Sequence, residues 1–293
     1  MATLRDIQRR IRSVQSTQKI TRAMKLVAAA KLRRAQERII AARPYAQKMS
    51  ELLGHLVTGT DADAHPLLEQ REGPRRQIVI ITADKGLAGA FNSNILRKSV
   101  ELLRTASAAD VTLVVVGRKA RDFYRRRRQW TIKKDMIGFW DRLAYGHAAE
   151  LADFFIEQYL AGDVDEVHLI YNEFRSVAVQ RPVQAQLLPI PRTEGAGETA
   201  AAPADYIYEP SPEAILNDLL PRHVRTQVYR ALMESVAGEY GARMTAMEAA
   251  SKNAKDMISI LTIQYNKARQ EKITKELLDI VGGAEALKQG ANA

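Results

Sequence analysis

Residues able to do chemistry are scattered singly along this sequence and assemble into no catalytic motif. The five histidines, His55, His65, His147, His168 and His223, lie apart, with no HExxH and no i, i+4 pair to build a metal site. Cysteine is absent, which excludes disulfides, thiolate metal sites and Cys nucleophiles. No Ser, His and Asp set is identifiable by local context. One loop, Asp84-Lys85-Gly86-Leu87-Ala88-Gly89, lies where phosphate-binding loops sit, after a strand-forming run and before a helix-forming one. It has neither the GxGxxG spacing of a dinucleotide site nor the GxxxxGK(S/T) of a P-loop. A tight strand-to-helix turn is the better reading, and nucleotide protection at Lys85 is the mark of the other. Arg125 to Arg128 could meet phosphates or an acidic partner. With Trp130 as a weak stacking candidate and no zinc-finger spacing, a solvated or protein-facing run fits better than nucleic-acid binding. The sequence predicts no catalytic residue, no cofactor and no metal.

What must position these residues is a pair of long terminal segments around a middle of different period. Leu4, Ile7, Ile11 and Val14 follow 3-4-3 spacing behind a capping Thr3, and the seam is expected to resume at Ile20, Met24 and Val27 after the polar interval Gln15 to Lys19. Helix-forming composition continues to about Leu56, with Pro44 as a kink or break. The C-terminal segment runs from about Pro212 to Leu287. Its seam, from Met233 through Ala237, Tyr240, Met244, Met247, Ser251, Ala254, Ile258, Leu261 and Tyr265 to Ala268, keeps a 4-3 alternation that imposes left-handed supercoiling. After Ala268 a slip leads to a new series, Ile273, Leu277, Ile280, Ala284 and Leu287.

Between the helices, strands are expected at 77–82, 111–116 and 166–171, with a fourth at 183–188. Helices are expected at 92–103, 118–128 and 148–160. Alternation of this kind predicts a small α/β domain with a mostly parallel sheet. The segment 193–204 is low in complexity. The domain reading is residues 1–57, the first coiled-coil helix; 58–76, a linker; 77–192, the α/β domain; 193–211, a mobile segment and foot; and 212–287, the second coiled-coil helix.

Charge is concentrated at the start. Residues 1–48 hold thirteen Lys or Arg against Asp6 and Glu37, a net of +11 where the whole chain carries +10. A basic amphipathic start resembles a targeting peptide, but the helical pattern runs past Val27 with no cleavage-site break. Nucleic acid, an anionic membrane and acidic protein loops are the candidate partners. Membrane-surface helices expose Trp, Phe or Leu, whereas here the apolar face is a coiled-coil seam. DNA-reading basic regions extend beyond their zipper, while this one coincides with it. Acidic protein loops fit best. No window approaches the ~18 apolar residues of a membrane span.

Residues Met1 to Gln36 and Met257 to Leu287, with the DKGLAG turn and the DYIYEPSP segment at Asp205 to Pro212, closely resemble the γ subunit of the F-type ATP synthase. The resemblance implies an antiparallel coiled coil of the terminal helices with an inserted small Rossmann-like α/β domain. It also implies a non-catalytic rotor that transmits torque between the membrane c-ring and the catalytic α3β3 hexamer to drive ATP synthesis. Partners would be the α, β and ε subunits and the c-ring in a hetero-oligomer, without nucleic acid. Membrane association would come only through the complex, at the cytoplasmic face of the bacterial cell membrane. Arg269, Gln270 and Thr274, with Met24 and Lys25, would meet catalytic-subunit loops. Ile273, Leu277, Ile280 and Leu287 would form the tip in an apolar bearing, and Tyr206, Tyr208 and Glu209 the foot on ε and the c-ring. Ala88 stands where the family often has Cys, and the Cys-bearing regulatory insertion of chloroplast relatives is absent, which argues against thiol control of that type.

Overall fold

The computed structural model describes residues 3–58, 65–191 and 211–291. Helix α1 spans Leu4–Thr58 and α5 spans Pro212–Ala291. Between them come β1 (Arg76–Ile81), α2 (Phe91–Leu103), β2 (Val111–Val116), α3 (Arg118–Arg127), β3 (Thr131–Met136), α4 (Tyr145–Leu160), β4 (Glu166–Phe174) and β5 (Gln180–Leu188). The chain divides into two compact units, Met1–Val27 with Ala246–Ala293, and Ala28–Thr245.

The larger unit is built on a five-stranded sheet of order β3-β2-β1-β4-β5. β1 to β4 are parallel and β5 returns antiparallel on β4. Because side chains alternate along a strand, a sheet covered on both faces needs continuous apolar runs in its central strands. The β1 run supplies this. Ile78 and Ile80 join Ile95 and Leu103 of α2 and Ala120 and Tyr124 of α3 on one face. Val79 and Ile81 join a larger core on the other face, made by Leu151 and Phe155 of α4, Leu32 and Leu53 of α1, and Leu220 and Val236 of α5. The edge strand β3 was hidden in the sequence, because Thr131-Ile132-Lys133-Lys134-Asp135-Met136 exposes every second residue and carries lysines that discourage further pairing. α4 also starts three residues before the expected Ala148.

Neither proline of the long helices ends its helix, although a kink or break was expected at Pro44. Pro44 lies inside α1 and Pro221 inside α5. An interior proline costs a helix about 3 kcal/mol. Here Met49 and Leu53, beyond Pro44, are buried in the core and hold the helix on course.

In the smaller unit α1 and α5 run together. Thr3 and Asp6 form a reciprocal cap, the Asp6 amide donating to Thr3 Oγ1 at 3.3 Å and the Thr3 amide to Asp6 Oδ2 at 3.2 Å. The Thr3 hydroxyl, donating to Asp6 Oδ2 at 2.7 Å, and then the Thr3 amide hold the Asp6 carboxyl below its ordinary value. On α5 the covered positions are Met247, Ser251, Ala254, Ile258, Leu261, Tyr265 and Ala268, the seam read from the sequence. On α1 the seam differs from expectation. Ile20 and Val27 are more than half exposed, and Thr21 and Ala28 are buried instead. The 3-4 alternation runs unbroken from Val14 through Gln18, Thr21 and Lys25 to Ala28, so three polar side chains occupy seam positions while the large apolar Ile20, Leu26 and Val27 face outward. Thr21 meets its polar need locally, its hydroxyl donating to the Gln18 carbonyl at 3.0 Å.

Candidate functional site

Lys25 Nζ lies 2.5 Å from Glu248 Oε1, an ion pair that marks the antiparallel alignment of the two helices in the smaller unit. Counting from that pair, Leu4 and Arg269 stand at the same distance along their helices. That is why cover on α5 stops at Ala268, and every residue from Arg269 to Ala284 is exposed. At about 100° per residue, the seam positions Ala254, Ile258, Leu261 and Tyr265 project to one side of α5, and beyond Ala268 that side continues as Lys272, Lys275, Glu276 and Asp279. Ile273, Leu277, Leu278, Ile280 and Val281 spread over roughly 80–240° from that side, so the apolar face turns by about 140° beyond Ala268.

A second stripe follows from the same geometry and was missed in reading the sequence. Ile260, Ile263, Lys267, Gln270, Thr274, Leu277 and Val281 repeat at 3-4 spacing along the side of α5 away from the seam, and all are exposed. Its signal was the spacing itself, masked by the stronger seam that shares the helix. Gln270 and Thr274 lie in the middle of this stripe, whereas Arg269 lies about 120° round from its axis, nearer the seam side. On α1, Arg5, Arg9, Arg10, Arg12, Lys19 and Arg22 are exposed, and none forms an ion pair with another described residue. These six cations lie on the first part of α1, ahead of Lys25, Lys31 and Arg33, which are paired.

The loop after β1 is built for a different purpose from phosphate binding. In a sheet of this order the crevice for ligands opens between β1 and β4, where the strand order reverses. Here α5 passes close by: a Cβ on Gly238 would come within 3.3 Å of Phe91 and Gln180 side-chain atoms. Asp84 accepts from the amides of Arg118 and Gly138, both at 2.9 Å. Asn92 accepts from the Ala83 amide at 2.9 Å. Lys85 Nζ is held by Asp141 Oδ2 at 2.7 Å. Two carboxylates beside the loop, with its lysine already paired, repel a phosphate. Among the described residues no group of three or more His, Asp or Glu is placed to hold a metal ion, and no helix is long and apolar enough to cross a membrane. The Arg125–Arg128 run is exposed; Arg125 pairs with Asp135 at 3.6 Å and Arg127 lies over the Phe123 ring at 3.6 Å.

A family model described as ATP synthase matches residues 3–287. An ATP synthase gamma chain of Anaeromyxobacter sp. (strain Fw109-5) is 53% identical over 293 residues, covering 98% of this chain and all of the relative. The chain belongs to the ATP synthase γ-chain family. The γ chain of Pelotomaculum thermopropionicum is 48% identical at the same cover of this chain. Among solved structures, a central stalk and c-ring chain of Tetrahymena thermophila mitochondrial ATP synthase matches with a TM-score of 0.60 and 29% identity, over 79% of this chain and 99% of that one. A chain of the Euglena gracilis mitochondrial enzyme matches in fold with a TM-score of 0.68 at 22% identity, over 99% of this chain and 96% of that one.

As a γ chain, the protein is one subunit of an enzyme complex. Of its expected partner-facing residues, Met24 is half-buried beside the seam and Lys25 is committed to Glu248. Arg269, Gln270, Ile273, Thr274, Leu277 and Ile280 are brought together on the uncovered end of α5. The Leu287 side chain, and Tyr206, Tyr208 and Glu209 of the expected foot, lie outside the described residues.

Proposed function

We propose that the protein is the rotor of a proton-translocating F1Fo ATP synthase, carrying torque between a membrane c-ring and a catalytic α3β3 hexamer, and binding no nucleotide itself. It works as a peripheral component at the cytoplasmic face of a bacterial cell membrane, held there through the ε subunit and the c-ring by way of Tyr206, Tyr208 and Glu209. The observation that carries this reading is the two-sided end of α5. A shaft that is apolar over one half and charged over the other offers different contacts to each of three surrounding subunits at any moment. A partner shifts a conformational equilibrium only through such differential interaction. Arg269, Gln270 and Thr274 meet catalytic-subunit loops, and Ile273, Leu277, Ile280 and Leu287 seat in an apolar bearing. The unpaired cations of α1 face acidic loops at every angle, each exposed pair worth only about 0–1 kcal/mol, so attraction holds the shaft without fixing its angle.

The test is the purified complex carrying Arg269→Ala. ATP hydrolysis and its coupling to proton transport are expected to fall, and wild-type values for both would overturn the site assignment. High salt is expected to weaken binding of the free chain to the hexamer, and affinity unchanged by salt would remove the role given to the α1 cations.

A further inference from the structure

Asp141 gathers more ties than any other exposed carboxylate among the described residues. It sits on a single turn of 3-10 helix, Trp140–Arg142, between β3 and α4. Its Oδ1 accepts from Lys31 Nζ of α1 at 2.6 Å and from the Tyr240 hydroxyl of α5 at 3.1 Å, and its Oδ2 accepts from Lys85 Nζ of the loop after β1 at 2.7 Å. Lys31 Nζ also lies 5.5 Å from the centre of the Tyr240 ring. The turn itself is anchored from behind, with Phe139, Trp140 and Leu143 buried in the core and Phe139 stacked on His147 at 4.8 Å. One carboxylate thus joins both long helices to a rigid corner of the sheet domain.

We propose that Asp141 is a positioning residue for torque transfer, a clamp that stops α1 and α5 from turning against the sheet domain under load. This rests on the rotor reading above. Packing alone resists separation better than sliding, because apolar contacts have no preferred direction. Hydrogen bonds to one carboxylate do have direction, and Asp141 receives them from three segments. The two lysines hold its carboxyl well below the ordinary range, so the charge persists at every physiological pH. Without that charge, Lys31 and Lys85 would point at one neutral group and repel each other, which turns the clamp into a wedge. The same geometry gives the DKGLAG turn its purpose: Asp84 fixes the loop, and the loop presents Lys85.

The experiment uses the complete complex reconstituted in vesicles with Asp141→Asn, Asp141→Glu and Lys85→Met. Asp141→Asn is expected to keep ATP hydrolysis within about twofold of wild type while protons pumped per ATP fall by at least half, more steeply against an imposed proton gradient. Lys85→Met should lower the same ratio less, and Asp141→Glu should restore it in part. Each variant's assembly and thermal stability are measured alongside, since a merely structural role would lower yield and hydrolysis together. If Asp141→Asn fails to assemble, Lys85→Met, which leaves the Lys31 and Tyr240 ties, decides the matter by the same ratio. A pumping ratio equal to wild type under load in the assembled variants would overturn the proposal. Absence of coupled pumping in the wild-type complex would instead overturn the rotor reading.

Discussion

Arg243→Met gives the sharpest test of how the larger unit is held. Glu239 is 1% exposed in its side chain and is joined by Arg243, one turn along α5 and itself largely buried, through both Nε and Nη2. Burial pushes the Glu239 carboxyl up; Arg243 opposes that, and the nearby Asp141 adds to it. Removing the arginine leaves a carboxylate in the core with only the weaker pull of Lys31 to offset its burial, which costs about 3–5 kcal/mol. At about 2–4 °C per kcal/mol for a chain of this size, the melting temperature at pH 7 should drop by roughly 6–20 °C. The pH dependence has a definite sign. A carboxyl whose folded pKa is raised binds its proton more tightly when folded, so the penalty is full above the folded pKa and fades toward the unfolded value of about 4.3. Calorimetry of the full-length chain should therefore find a larger deficit at pH 7 than at pH 5. The double variant Glu239→Leu/Arg243→Met should recover most of the loss. A single variant that melts with wild type at pH 7, or a deficit equal at both pH values, would refute the reasoning.

Other consequences are simpler to check. Leu261→Ala, at a covered seam position, should cost about 2–4 kcal/mol in thermal melts, whereas Ile263→Ala, two residues on and 67% exposed, should stay within about 0.5 kcal/mol. Thr21→Val removes a buried hydroxyl whose only partner is a carbonyl of its own helix; helix melting followed by circular dichroism should change by less than about 1 kcal/mol. Gly117→Ala should lower the urea midpoint by an amount equivalent to about 1–3 kcal/mol, because Gly117 has φ of 87° and a Cβ there would press into the Thr82 carbonyl.

The C-terminal seam was legible because small and large apolar side chains repeat there with Ser251, a small residue, as the one polar interruption. The α1 register was not, because a reader of hydrophobicity follows Ile20 and Val27, while the packing follows Thr21 and Ala28. A helix whose partner sits close accepts small residues in the seam, and large apolar side chains left on its surface are ordinary in folded proteins. β3 was lost for a related reason: an edge strand is half solvent-facing, and its lysines look like loop or helix surface. The α/β alternation and the parallel sheet were readable from the β1 and β2 runs, which need burial on both faces. The purpose of Lys85 was beyond local inspection, since its partner Asp141 is 56 residues away in sequence. The second stripe on α5 was present in the spacing of Ile260, Ile263 and Gln270, and was overlooked because one helix was expected to carry one seam.

The exposed stretch of α5 beyond Ala268 also bears on the life of the chain before assembly. Ile273, Leu277, Leu278, Ile280 and Val281 stand exposed on a stretch of helix that no other described residue covers, and its order is propagated from the paired part. A newly made copy thus displays an adhesive end. Surplus copies would meet each other or a protease there first, so the cell has a physical reason to match synthesis of this chain to that of its partners. The asymmetry that suits the helix end to turning inside a complex makes it a poor free-standing solute.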